Sequence, residues 1–531
     1  MTPLTFERVH KLLEKAKALR APHEAEIKEA YQYTLPEREF NKTPDAPADR
    51  VQIYDSTAVT SVQNLVTNSL RLLIPQAQPW CSIIWRNDGI KKQFGVKYAS
   101  RLKSNNAKLF KHFSDSNFHL ATGESLSDGI VAGTFAIQIM DEIGQPLSYL
   151  AVPIDQLFVL ENDKGLVDTV FRLHRMKPSD IIRRFSNTAP QEVLEAAENM
   201  SDKTYQIVEA VIPCGCDEFN YSVWIKDSKT KLLDTKTPLS PFIVARWTKL
   251  TGNVWGSSPV RSALGPIRMV NAIAEDVITY GDFQAKGLWQ TQDTTLDTDT
   301  TRKAMIPGSI VAAQEELKQV PMSANFRLTF EMAAQYQAQI KRLLHDTQPP
   351  SDKVTAYATE EAIAWLRAEF LNSIGEAALR LSMEFLTPLA QQVYTRLCLR
   401  GEITVMSAEE AATETQGGAQ SQRDLMTVDV NAAVARVLKV QEAQSNLNAF
   451  KQGVQAFGSE AVAAIIDIDA LARDTLSNLG LDGSYFRSEA DAKKIREDDA
   501  ARKQQAMLAE SLAKGSVDPT ALASLLPQGT G

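Results

Sequence analysis

The chain has 531 residues, 44% hydrophobic and 23% charged, so it can bury a large core spread over several lobes and is neither disordered nor a mere linker. A formal net charge of −8 and a pI near 5.5 exclude a broad basic face that grips phosphates, so any contact with DNA is confined to a few positions. Cys81, Cys214, Cys216 and Cys398 have neither zinc-site spacing nor that of a secreted disulfide framework, and buried, reduced thiols are expected.

The opening stretch, Met1 to Arg20, mixes Glu7, Lys11, Glu14 and Lys15 with apolar residues and has no signal-peptide core. No run approaches the ~20 apolar residues that span a bilayer. The expectation is a soluble protein made in a cytoplasm, with no membrane contact of its own. Phe6, Val9, Leu12, Leu13, Ala16 and Leu19 predict a first helix that breaks at Ala21-Pro22. Val62, Leu65, Val66, Leu70 and Leu73 predict a second, from Ala58 to Ile74. Gln78 to Trp85 suits a strand, and Lys97 to Ser127 reads as helical.

From Ile130 to Trp247 the pattern turns to short β-like runs: Phe135 to Met140, Leu166 to Leu173, Tyr205 to Ile212, Tyr221 to Ile225 and Phe242 to Trp247. They predict one mixed sheet region, interrupted by a helix near Ser179 to Asn199. Helical period returns at Pro259, with Val260, Leu264, Ile267, Val270, Ala274, Val277 and Ile278 on one stripe and Pro266 as a possible kink or later start. Gly287 to Pro321 reads as a small strand-and-loop module, and Phe330 to Leu344 as helix.

Adjacent prolines exclude helix from Thr347 to Lys353. A long helical stripe then runs from Ile363 through Phe370 and Phe385 to Leu397, and Pro388 should bend it near Glu384 to Phe385. Ser407 to Gln422 reads as a linker, followed by helical patterns over Asn431 to Phe450, Ser459 to Leu479 and Glu489 to Lys514.

Signals of chemistry are missing from the string. A nucleotide-driven motor needs G-x-x-x-x-G-K followed by Ser or Thr, a nest of backbone donors with a lysine, and none is present. His10, His23, His112, His119, His174 and His345 show no tight ligand spacing, and there is no G-x-S-x-G elbow. Glu360-Glu361, Glu409-Glu410 and Asp498-Asp499 read as solvated helix faces. The expectation is no enzyme, no cofactor and no metal.

Several separated strings point to one family in the same order along the chain. They are Arg20-Ala-Pro-His-Glu-Ala-Glu with Gln32-Tyr-Thr-Leu-Pro36, Asn64-Leu-Val-Thr-Asn-Ser-Leu-Arg-Leu-Leu-Ile-Pro75 with Trp80, and Ile130-Val-Ala-Gly-Thr134. Arg246-Trp-Thr-Lys-Leu-Thr-Gly-Asn-Val-Trp-Gly-Ser-Ser258 and Asp352-Lys-Val-Thr-Ala-Tyr-Ala-Thr-Glu-Glu361 complete the set. Together they resemble the portal, or head-to-tail connector, proteins of short-tailed bacteriophages (podovirus type). Trp255 stands where the family has tyrosine, Ser257 where it has arginine, and Tyr357-Ala-Thr359 intervenes between V-T-A and E-E.

The resemblance implies an α+β, mainly helical portal fold with wing, stem, clip and crown regions, twelve copies forming a ring around an axial channel. On this chain it implies a wing at 1–258, stem helices at 259–286 and 326–346 and a clip at 287–325. A channel loop at 347–358, a kinked wing helix with linker at 359–424, and a crown with C-terminal tail at 425–531 complete the assignment. It also implies a place in the virion, at one capsid vertex assembled in the host cytoplasm. Its partners would be double-stranded DNA without sequence specificity, a terminase motor, a tail adaptor, major capsid and scaffolding proteins, and internal core or ejection proteins.

Ring charge adds to −96 for twelve copies at −8 each, so walls that mostly repel phosphate suit a conduit for sliding DNA. The cations expected to face the bore are Lys353, with Lys341 and Arg342 on the adjacent stem helix. Trp289 is the expected clip contact for motor or adaptor, and Trp365 and Phe370 on the long stripe are the expected subunit contacts. The competing readings are a nonviral helical scaffold or adaptor, separated by ring stoichiometry, and a packaging nuclease or ATPase, separated by ATP hydrolysis.

Overall fold

A computed structural model describes residues 4–38, 40, 51–76, 79–141, 145–185, 188–199, 203–215, 218–286, 289–290, 318–319, 326–346, 369–370, 372–404, 425–430, 434–458, 462, 467–478, 495 and 502. Helix and strand are both present, as an α+β chain requires, in two compact units, 1–435 and 436–531.

Helix α1 (Phe6–Thr34) buries Val9, Leu13, Ala16, Ile27 and Tyr31 at helical spacing. It does not break at Pro22. The reason is tertiary. Two residues earlier the buried Arg20 donates to the carbonyls of Ile154, Asp155 and Leu157 at 3.1, 2.9 and 3.2 Å and lies 4.1 Å over the Phe158 ring. Those contacts hold the helix through a residue that lacks an N–H. Helix α2 (Thr57–Leu73) follows as the periodicity predicts.

Strand β1 (Ser82–Trp85) leads to α3 (Asp88–Asp115) and α4 (Phe118–Ala132), so the helical stretch read from the sequence is divided in two. Asn117 sits at the break. Its side chain donates to the Tyr149 carbonyl at 2.7 Å and accepts from the Tyr149 N–H at 2.9 Å, satisfying strand β3 as a neighbouring strand would.

The β region is likewise two sheets, and every pairing is antiparallel. One orders β3 (Ser148–Val152), β2 (Thr134–Met140) and β9 (Phe242–Arg246). The other orders β4 (Leu157–Glu161), β5 (Val167–Met176), β6 (Tyr205–Gly215), β7 (Glu218–Ile225) and β8 (Thr230–Thr237), with the short helices α5 (Pro178–Phe185) and α6 (Gln191–Glu198) in the β5–β6 connection. Fully buried β2 explains why its run shows no alternation.

Helix α7 (Pro259–Lys286), strands β10 (Trp289–Gln290) and β11 (Lys318–Gln319), and helix α8 (Phe326–Leu343) come next. The long stripe then holds α9 (Gly375–Leu381), a π-helical turn (Ser382–Leu386) and α10 (Thr387–Leu399). Strand β12 (Met426–Asp429) returns to pair with β1. It therefore belongs to the first unit, which ends at Ala435. Helices α11 (Val434–Phe457) and α12 (Ile468–Asn478) match two of the three late helical patterns; the third, from Glu489, lies almost wholly outside the described residues.

Candidate functional site

Helix α7 starts where its sequence says it should. Ser258 Oγ accepts from the Arg261 N–H at 3.2 Å and donates to the Ile130 carbonyl at 2.7 Å, so one hydroxyl caps α7 and ties it to α4. Pro259 is the first helical residue, and the helix runs through Pro266 without restarting. Val260, Ala263, Leu264, Ile267 and Val270 are buried, as are Ile340 and Leu344 at the far end of α8.

The two helices pack side by side, and their direction follows from their cross-links. The segment before α2 touches both at one level: the Tyr54 N–H donates to Asn271 Oδ1 at 2.8 Å, and Gln337 Nε2 donates to Asp55 Oδ2 at 2.7 Å. At the other end β10, just after α7, pairs antiparallel with β11, shortly before α8. The helices therefore form an antiparallel hairpin. Met269 and Ile278 on α7, and Phe330 and Met332 on α8, are exposed large hydrophobic side chains.

Where α8 ends, Lys341 and Arg342 occupy its last turn, placing positive charge at the negative end of the helix dipole; Lys341 is half-buried and Arg342 exposed. His345 has a left-handed φ of 53° and turns the chain out of the helix. Burial pushes its imidazole pKa down. Asp346 is then pinned to α2, accepting from Ser61 Oγ at 2.8 Å and Asn64 Nδ2 at 3.2 Å. Asn64 heads one of the family-like strings, and it fixes Asp346 just beyond the end of α8.

A π-helical turn, Ser382–Leu386, interrupts the long stripe immediately before Pro388. Pro388 has no N–H for the Glu384 carbonyl, and the turn relaxes to π geometry, with the Thr387 N–H donating to the Ser382 carbonyl. Glu384, in that turn, receives Arg246 Nε at 3.0 Å, Arg246 Nη2 at 2.9 Å and the Arg246 backbone N–H at 3.2 Å. The other face of Arg246 donates to Glu161 Oε2 at 3.1 Å and the Gly165 carbonyl at 3.0 Å. Arg246 is 1% exposed, so the π-helical turn is clamped to strand β9 by a fully satisfied buried cation.

Two more of the strings meet beside it. The Trp247 N–H donates to the Gly133 carbonyl at 2.9 Å, and the Gly256 N–H to Thr134 Oγ1 at 2.8 Å. A Cβ on Gly256 would lie 2.0 Å from the Gly133 oxygen, which explains glycine at both positions.

Of the residues expected to act, Lys341 and Arg342 come together at the end of the hairpin. Trp289 takes part in the β10–β11 pair through its backbone, with its side chain outside the described residues, as are Lys353 and Trp365 altogether. Phe370 is 3% exposed within the single chain and joins its main core, so its ring needs no neighbouring subunit to cover it. Sequence reading missed the Arg246–Glu384 clamp, because the partners are 138 residues apart. It also passed over the cation density of α3, which composition in a short window would have found.

Among the described residues no group of three or more His, Cys, Asp and Glu could hold a metal ion, and no helix is long and apolar enough to cross a membrane. No curated protein matches the chain. Among solved structures, one chain titled virion of native gene transfer agent (GTA) particle is similar at 11% identity and a TM-score of 0.33, over 76% of this chain and 87% of that one. The family profile described as bacteriophage head to tail connecting protein matches residues 7–486, nearly the whole length. On that match the chain belongs to the bacteriophage head-to-tail connecting protein family.

Proposed function

We propose that this structural connector acts as the portal of a short-tailed phage: twelve copies closed into a ring at one capsid vertex, a conduit for packaging and ejecting the genome. The observation that carries the reading, beyond family membership, is the α7–α8 hairpin, two long helices whose outer faces expose Met269, Ile278, Phe330 and Met332 in the single chain. Closed rings need two unlike faces per subunit, and exposed apolar side chains on a rigid hairpin suit one of them.

The hairpin is the stem, and the segment 287–325 between its helices is the clip, which receives the terminase motor and then the tail adaptor, with Trp289 as a contact. The end of α8 and the loop at 347–358 face the bore, so Lys341, Arg342 and Lys353 touch passing duplex DNA. Subunit contact on the long helix falls to Trp365 and to Leu379 and Met383, 61% and 68% exposed, because Phe370 is covered by its own subunit. The wing meets the major capsid protein, with scaffolding during assembly in the host cytoplasm, and the crown meets the internal core or ejection proteins.

Mass measurement and negative-stain imaging of the purified protein test this. Annular particles of about a dozen subunits support it; a stable monomer or dimer overturns self-assembly of the chain. In the same assay Leu379→Asp with Met383→Asp leaves folded subunits that fail to close, whereas Phe370→Asp unfolds the subunit.

A further inference from the structure

Helix α3 has a charge unlike that of the chain around it. Between its terminal Asp88 and Asp115 it carries six lysines, one arginine and no acid. At the chain's average of 57 cations in 531 residues, a stretch of 28 would hold about three. Helix α3 is thus +5 within a chain of −8, leaving −13 for the rest.

The cations are placed as well as numerous. Phe94, Tyr98, Leu109 and Phe113 bury one face of α3, with Phe94 6.1 Å from Trp85 and Phe113 4.9 Å from Trp80 between ring centres. On another face Lys97, Arg101, Lys108 and Lys111 are all exposed and fall within one narrow stripe at 100° per residue. The stripe is about 21 Å long at ~1.5 Å per residue. Lys97 and Arg101 flank the Tyr98 ring at 5.3 and 5.6 Å, and Lys108 Nζ reaches the Glu402 carbonyl at 3.3 Å.

The residue type indicates the partner. The carboxylates fixed in the core are held mainly by arginine: Arg172 and Arg184 at Glu209, Arg246 at Glu384 and Glu161, with Lys249 as a second partner of Glu161. Guanidinium forks suit that task, whereas lysine is a mobile point charge suited to phosphates met in no fixed register. We propose that α3 is a sequence-independent contact for the phosphate backbone of duplex nucleic acid, separate from the channel hairpin. Helix α3 packs on β1 and α4, and it is α4 that packs on α7. The nucleic acid it meets therefore lies against the body of the connector, outside the bore.

Binding of the full chain to a random-sequence duplex of about 30 base pairs, followed by anisotropy across ~50–200 mM salt, tests this. Three phosphate contacts contribute about 2.7 to the slope of log affinity against log salt, or about 40-fold over that range. The variant Lys97→Gln/Lys108→Gln/Lys111→Gln is expected to lose that much, while Lys164→Gln/Lys177→Gln/Lys236→Gln, equal in charge change on the five-stranded sheet, is not. The corresponding Lys→Arg triple should keep the wild-type slope. Equal slopes for the two glutamine variants overturn the proposal. So does a changed particle mass with unchanged DNA binding, which would assign α3 to an acidic face of a second copy. Slope loss with particle mass unchanged supports it, and so does slope loss in a preparation that never forms rings, which separates this site from the ring reading.

Discussion

Arg246 and Glu384 illustrate how much rests on single side chains here. Both are shielded, and the guanidinium spends its donors on Glu384, Glu161 and the carbonyls of Val254 and Gly165. Removing one partner leaves Glu384 with Arg380 alone, or Arg246 with Glu161 and two carbonyls, an under-satisfied buried group that costs about 1–3 kcal/mol, whereas replacing both by apolar groups is milder. Arg246→Met and Glu384→Met alone should each lower the denaturant midpoint strongly, and the double substitution should recover most of the loss. At Gly256 the limit is space. Gly256→Ala puts a Cβ 2.0 Å from the Gly133 carbonyl oxygen and should cost more than about 3 kcal/mol, read as a drop in thermal midpoint.

The two sheets are coupled by a buried polar network. Gln138 of β2 donates to Glu209 of β6 at 2.9 Å and accepts from Arg172 of β5 at 2.8 Å, and Arg184 and Tyr221 complete the shell of Glu209. Burial by itself would raise the Glu209 pKa, but Arg184, His174, Arg172 and the Tyr221 hydroxyl outweigh it and hold the carboxyl below its usual range. Burial, with Arg172 beside it, pushes His174 down to about 4 from 6.5.

Both folded pKa values lie below the unfolded ones, so the unfolded chain binds protons first as pH falls. The stability is complete above pH 6.5 and is lost through the His174 window down to about 4, with Glu209 adding its share at lower pH. For His174 the loss is on the order of 3 kcal/mol. His174→Gln should flatten the decline between pH 6.5 and 4 in denaturant titrations, and an unchanged profile would assign the acid loss elsewhere. On α1, Pro22→Ala restores a donor for the preceding turn and removes a ring clash. It should raise stability by about 1–3 kcal/mol, checked by thermal unfolding.

For the molecule as a whole, the charge is unevenly shared, and the surfaces divide with it. Under the proposed portal reading, an acidic chain with a basic stripe on α3 would let DNA slide through a repelling bore while touching it elsewhere. Lys341→Gln/Arg342→Gln should therefore change DNA affinity less than the α3 lysine variant, with rings intact in both. A larger loss at the hairpin end would reverse that ranking.

The periodic helices α2, α7 and α8, five of the eight strands of the two sheets, and the disturbed turn before Pro388 were legible in the sequence, because each is written in local burial period or in a missing N–H; β3, β4 and β8 were not. So was the family, through short strings in fixed order. Their meeting was not: Gly133 against Gly256, Asn64 against Asp346 and β1 against β12 join residues far apart in the chain. The survival of α1 through Pro22, the split at Asn117 and the burial of Phe370 were likewise decided by contacts from distant segments. Hydrophobic spacing records that a face is covered; only the tertiary structure decides what covers it.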